Sequence, residues 1–163
     1  MSVHLRKMTN TEFDVFYEWS VSSQMKDYME IHGLSFESAW HQAMEEFQNM
    51  LPDGLSTLNH NLMTIVLSDT KEVAGFIWTL QEEFVGKRQI FLCDFVIFES
   101  YRRKGYATDV LAIMHRYAME AGCEEIVLFV SDHNIAAQNL YFQCGYLFLR
   151  KCDHGQYLVK SLY

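Results

Sequence analysis

Apolar side chains recur along the chain with two different periods, and the changes of period mark its elements. Val3 to Met8 alternates as a first strand. Thr9 and Glu12 then stand at capping-box spacing before Phe13, Phe16, Tyr17, Val21, Met25 and Tyr28, which return at helical intervals. Ser35 is placed to cap a second helix carrying Phe36, Ala39, Trp40, Ala43, Met44, Phe47 and Met50 on one stripe, and Leu51 to Gly54 ends it. Both stripes are expected to be core-facing.

The middle of the chain changes to segments rich in Val, Ile, Phe and Thr: Asn61 to Leu67, Val73 to Gln81 and Gln89 to Phe98, separated by SDTKE and EEFVGKR. Successive antiparallel strands are expected. Gly105 to Ala121 returns to helical spacing through Ala107, Val110, Leu111, Met114, Tyr117 and Ala118, with Gly122 to stop it. Glu125 to Ser131 reads as a buried strand. Asn134 can cap a short helix through Ala137, Leu140, Tyr141 and Cys144, and Leu147 to Cys152 with Tyr157 to Leu162 form a closing hairpin.

A strand joined to its neighbour through a helix runs parallel, and hairpin partners run antiparallel. The order therefore predicts an α/β fold: a central, mostly antiparallel mixed sheet with one parallel pair, flanked by four helices. With 163 residues and half of them hydrophobic, a single domain over 1–163 is expected.

The formal charge of −8 argues against nucleic-acid binding, which needs a broad basic face. Cys93, Cys123, Cys144 and Cys152 show neither C-x-x-C pairing nor zinc spacing, so reduced and mostly buried thiols are expected. The seven histidines lack ligand spacing; no metal is expected, and His115 is assigned to the exposed side of its helix. No apolar run is long enough for export or membrane insertion, which suggests a cytoplasmic protein. A homodimer is compatible with the sequence, although no motif encodes it.

The local exception to the acidic balance is YRRKGYA, residues 101–107, where a strand hands over to a helix. Helix-entry N–H groups lack intrahelical partners and sit at the positive end of the dipole, so such a loop can hold a phosphate. Gly105 permits close backbone approach, and Arg102, Arg103 and Lys104 add charge. The chain has neither the P-loop nor the dinucleotide fingerprint.

Arg102-x-x-Gly105-x-Ala107 after a hydrophobic strand resembles the pyrophosphate loop of the GCN5-related N-acetyltransferase (GNAT) superfamily. Asn134-x-x-Ala137-x-x-Leu140-Tyr141-x-x-x-Gly145-Tyr146 is similar to its second signature. The order of elements agrees over residues 3 to 160. Within the superfamily, LPDGLSTLNHN and DFVIFESYRRKGYA look most like small bacterial members.

The resemblance implies acetyl-CoA as co-substrate, its pyrophosphate held by backbone donors from Arg103 through Lys104, Gly105 and Tyr106 to Ala107. It implies strand-like pairing of the pantetheine arm with Phe95, Val96 or Ile97, one of whose N–H groups polarises the thioester. It places Asn134 against the same arm and makes Tyr141 the acid that protonates the leaving thiolate. The acceptor would be an amine, small-molecule or peptide, attacking directly. Its proton would pass to a carboxylate, with Asp94 ranked before Glu82 and Glu83. A helix cap at Asn134 and a core aromatic at Tyr141 are the plainer readings of those residues. Phe98 to Tyr101 lacks the proline frequent there in the family, and Arg103 stands where a glycine is frequent. Two rival functions are a non-catalytic acyl-CoA-binding module and a nucleotide-binding protein.

Overall fold

A computed structural model of the chain describes residues 2–163, in the element order expected from the sequence. Two compact units emerge: one is Met8–His60, the other the residues up to Lys7 together with Asn61–Tyr163.

The first unit is a helix pair, α1 (Asn10–His32) and α2 (Phe36–Met50). The capping box forms in both directions: Thr9 N–H donates to Glu12 Oε1 at 2.9 Å, and Glu12 N–H donates to Thr9 Oγ1 at 3.1 Å. Gly33, at φ +66°, ends α1, and Leu34 N–H donates to the Tyr28 carbonyl. Ser35 caps α2 through Ser38 N–H. The buried positions of α2, Ala39, Ala43 and Phe47, all lie on the expected stripe, whereas Phe36, Trp40 and Met50 of that stripe are exposed, so the buried face is narrower than expected. The reason is packing distance: the small side chains at i and i+4 let the helices approach, and Phe47 packs among the rings of α1, Phe16 included at 6.1 Å. Its ring meets Tyr17 edge-on at 4.9 Å and Phe13 at 6.0 Å.

Tyr28 on α1 donates its hydroxyl proton to the Glu46 carboxylate on α2. Burial first, then Glu46, pushes this phenol from its usual 10.0 up to about 12. The folded chain therefore keeps a proton that the unfolded chain loses near pH 10. Between pH 10 and about 12 stability falls as pH rises. Urea unfolding across that window should show this fall, and Tyr28→Phe should make it shallower without removing it, because burial also holds protons on Tyr141, Tyr146 and Cys93.

The second unit is a seven-stranded sheet in the order β1-β2-β3-β4-β5-β7-β6. The strands are β1 (Val3–Lys7), β2 (His60–Leu67), β3 (Val73–Phe84), β4 (Lys87–Ile97), β5 (Glu125–Ser131), β6 (Leu147–Cys152) and β7 (Gly155–Ser161). β4 and β5 pair in parallel, while the β1/β2, β3/β4, β5/β7 and β6/β7 pairs are antiparallel. The β3–β4 hairpin runs farther than EEFVGKR suggested. Val85 at φ +50° and Gly86 at φ +76° make a two-residue left-handed turn, so the flanking residues stay in the strands.

Helix α3 (Tyr106–Glu120) lays Val110, Leu111, Met114 and Ala118 on β1, β4 and β5. Short α4 (Ile135–Gln143) turns Tyr141 into the same core, which also holds Ile77, Ile90, Ile126, Leu128 and Leu158. Of the four cysteines only Cys123 is buried; the others are partly open, because they stand at a strand irregularity, a helix end and a hairpin end. His115 is half-buried rather than exposed. Its Nδ1 has no hydrogen-bond partner among the described residues, and burial with Lys160 nearby holds its pKa below the usual value.

Candidate active site

The site begins where two strands part. β4 and β5 are in register from Gln89 with Glu125 to Leu92 with Leu128, and no farther. The cause lies in β4: Trp78 of β3 faces Asp94 and Thr79 faces Leu92, so Cys93 is an extra residue. A bulge bends its strand and raises the local twist. Beyond it residues 94–97 stay with β3, while Phe129 to Ser131 stay with β7.

Backbone groups on β4 then fall into two sets. Phe98 N–H donates to the Ala74 carbonyl at 2.8 Å, which fixes the alternation of the antiparallel ladder. Asp94 and Val96 direct their main-chain groups toward β3, and Phe95 and Ile97 direct theirs toward the edge β5 has left. Arg102 Nε donates to the Ile97 carbonyl at 2.8 Å. The Phe95 N–H and C=O and the Ile97 N–H therefore border the gap, and Val96, named with them from the sequence, has its main-chain groups on the β3 side.

At the end of β4 a 3₁₀ turn, Glu99–Tyr101, takes the place of the frequent proline: Tyr101 N–H donates to Phe98 O at 2.9 Å and Arg102 N–H to Glu99 O at 3.2 Å. The backbone then turns left-handed twice, at Arg103 (φ +62°) and Gly105 (φ +83°). Gly105 occupies the N-cap of α3 and brings no side chain to cap it. The first closed helical bond is Asp109 N–H to Gly105 O, at 3.2 Å. Among the described residues no oxygen accepts from the N–H groups of Arg103 to Thr108, Lys104, Tyr106 and Ala107 included. A run of unaccepted donors at a helix's positive end, beside three cations, is an anion cradle in its chemistry.

The left-handed φ explains why a glycine is frequent at position 103, since only glycine adopts it without steric cost. Arg103→Gly should raise stability by about 0.5–1 kcal/mol in urea unfolding, the released strain outweighing glycine's extra chain entropy.

Tyr141 is 8% exposed and meets the Tyr146 ring at 5.6 Å. No hydrogen bond to another described residue holds its hydroxyl. Burial raises its pKa far above the usual phenol value, and the Asp94 carboxylate and Cys144 raise it further. Cys93 is likewise raised by burial, then by Asp94 and Glu82. Asp94, Glu82, Cys93 and Tyr141 thus form one electrostatic neighbourhood around the bulge. Glu82 accepts from Gln89 Nε2 at 2.7 Å. Asn134 caps α4, its Oδ1 accepting from Ala137 N–H at 3.2 Å, and its side-chain amide remains exposed. The bulge at Cys93 has no signal in the sequence: no glycine or proline marks it.

A family model described as the acetyltransferase (GNAT) family matches residues 25–146. The chain belongs to this family. It is 30% identical over 146 residues to the uncharacterized N-acetyltransferase YycN of Bacillus subtilis, covering 90% of this chain and 93% of that one. The crystal structure of YycN superposes with a TM-score of 0.84 at 27% identity, over 92% of this chain and 95% of the other. Two more distant structures share the fold: PaiA N-acetyltransferase from Thermoplasma acidophilum in complex with coenzyme A (TM-score 0.70, 18% identity, 99% of both chains), and spermidine N-acetyltransferase from Vibrio cholerae in complex with CoA and spermine (TM-score 0.69, 15% identity, 99% and 96%). The chain is therefore an acetyltransferase on the GNAT fold. No described helix is long and apolar enough to cross a membrane.

Proposed function

We propose that this acetyltransferase moves an acetyl group from acetyl-CoA to a primary amine by direct attack, residues 1–163 acting as one catalytic domain in the cytoplasm. The observation that carries the reading is the unaccepted run of N–H groups from Arg103 to Thr108, placed at the end of the strand that carries Asp94, an electrostatic neighbour of Tyr141. Acetyl-CoA supplies the activated thioester. Its pyrophosphate suits the amides of residues 103–108, flanked by Arg102, Arg103 and Lys104. Its amide-bearing arm suits the edge at Phe95 and Ile97, because an extended chain pairs with main-chain groups a neighbouring strand has left. Asn134 offers its exposed amide at the entrance to α4. CoA bound to PaiA and to the spermidine enzyme supports the choice of ligand, and spermine in the latter supports an amine acceptor.

Asp94 and Tyr141 form a coupled pair in this reading. The attacking amine must lose its proton, and Asp94 takes it, directly or through water. While ionised, Asp94 makes Tyr141 a weaker acid. Once protonated it no longer does, so the phenol gains acid strength when the thiolate must be protonated.

Thermal unfolding with acetyl-CoA, CoA, ATP and NAD tests the ligand. A ligand at a hundred times its Kd stabilises by about 2.7 kcal/mol, a rise in Tm of roughly 5–10 °C for a chain of this size. The rise is expected with CoA and acetyl-CoA. A rise with ATP alone overturns the proposal in favour of a nucleotide-binding protein. Acetyl-CoA consumption over a panel of polyamines, amino sugars and peptide amines then finds the acceptor; binding without turnover on any of them would favour the non-catalytic acyl-CoA module.

A further inference from the structure

Behind α3, away from the unaccepted amides at its start, lies a half-open cavity of about 200 Å³. Its walls are Leu5 of β1, Asn61 and Met63 of β2, Thr79 of β3, and Ile113, Met114 and Tyr117 of α3. An apolar cavity of about 150 Å³ is large enough to hold benzene. Two methionines give the wall a side chain that adapts to irregular shapes.

Polar groups stand at two points. At the rim Asn61 Nδ2 donates to the Tyr117 hydroxyl at 2.8 Å, which leaves the Tyr117 proton free to donate and Asn61 Oδ1 free to accept. Deeper in, Thr79 is 2% exposed and its Oγ1 has no hydrogen-bond partner among the described residues. An unpaired buried hydroxyl is costly. Thr79 lines the cavity, and a rotation about χ1 moves Oγ1 to another staggered position, so that a polar atom arriving at the wall can give it a partner. No charged side chain is among the lining residues, which disfavours an ion of either sign.

We propose that this cavity is a binding site for a neutral, ring-sized molecule bearing one hydroxyl or similar hydrogen-bonding group, separate from the acyl-transfer site. Its chemistry is unlike that of a CoA or a protonated amine, and the proposal stands whatever the acceptor proves to be.

Phenol, benzene and benzoate serve as probes, followed through the NMR methyl signals of Met63, Ile113 and Met114 in the full chain. Phenol is expected to give saturable shifts at these methyls, binding about fivefold tighter than benzene because of one added neutral hydrogen bond. Benzoate, of the same size but charged, is expected to give none. Thr79→Val or the rim change Tyr117→Phe should bring phenol toward benzene's affinity, and Ile113→Phe should fill the space and remove both ligands while the remaining spectrum stays folded. No saturable shift with phenol, or equal binding of benzoate, or phenol shifts that survive Ile113→Phe, would each overturn the assignment.

Discussion

Tyr141→Phe is expected to lower acetyl transfer by about a thousandfold, within the range lost with a general acid, while CoA affinity changes less than about twofold. The substitution removes one oxygen and leaves the ring, so the contact with Tyr146 and the packing of α4 persist. A hydroxyl held by no other described residue is not a structural tie, and its removal should cost little stability. If Tyr141 were only a core aromatic, the variant would keep its rate. The high pKa adds a second readout. A thiolate is a weaker base than a phenolate raised first by burial and then by Asp94, so complete proton transfer is uphill, and it becomes less so once Asp94 loses its charge. Product formation should therefore depend on protonation at Asp94 in a way that leaves CoA binding untouched. A pH profile of kcat in the parent, compared with the profile of CoA affinity, separates the two. Parallel profiles, together with an active Tyr141→Phe variant, would remove both residues from the chemistry.

The order of elements, the caps at Thr9, Ser35 and Asn134, and the helix entry at Gly105 could be read from the chain because each has a local cause. Periodicity and capping chemistry act within a few residues. The narrowing of α2's buried face to Ala39, Ala43 and Phe47, with Phe36, Trp40 and Met50 left exposed, was not legible, because it depends on how closely a second helix approaches. The bulge at Cys93 was hidden for a related reason. It is a property of two strands in register, and FLCDFVIF alternates as well without it as with it. Sequence therefore named Phe95, Val96 and Ile97 together. Only the ladder separates the residue that turns its amide toward β3 from the two that turn theirs to the open edge.

The same ladder makes Gly75 the position where the smallest substitution should do most harm. Gly75 faces Ile97 across β3 and β4, and a Cβ built on it would lie 2.0 Å from the Val96 carbonyl oxygen and 3.1 Å from the Ile97 Cα. These are main-chain atoms, so no rotamer change relieves the clash, and the strands must separate. Gly75→Ala is expected to cost about 3 kcal/mol, lowering Tm by roughly 10 °C, as overpacking against an unyielding neighbour does. The displaced stretch is the one that carries Phe95 and Ile97 and anchors Arg102 through the Ile97 carbonyl. A variant that still folds should therefore bind CoA less well than its residual stability alone would predict. Calorimetry and CoA titration of the same preparation read both effects. An unchanged Tm would show that β3 and β4 can part here at little cost. A lowered Tm with CoA affinity intact would detach the cofactor arm from this edge.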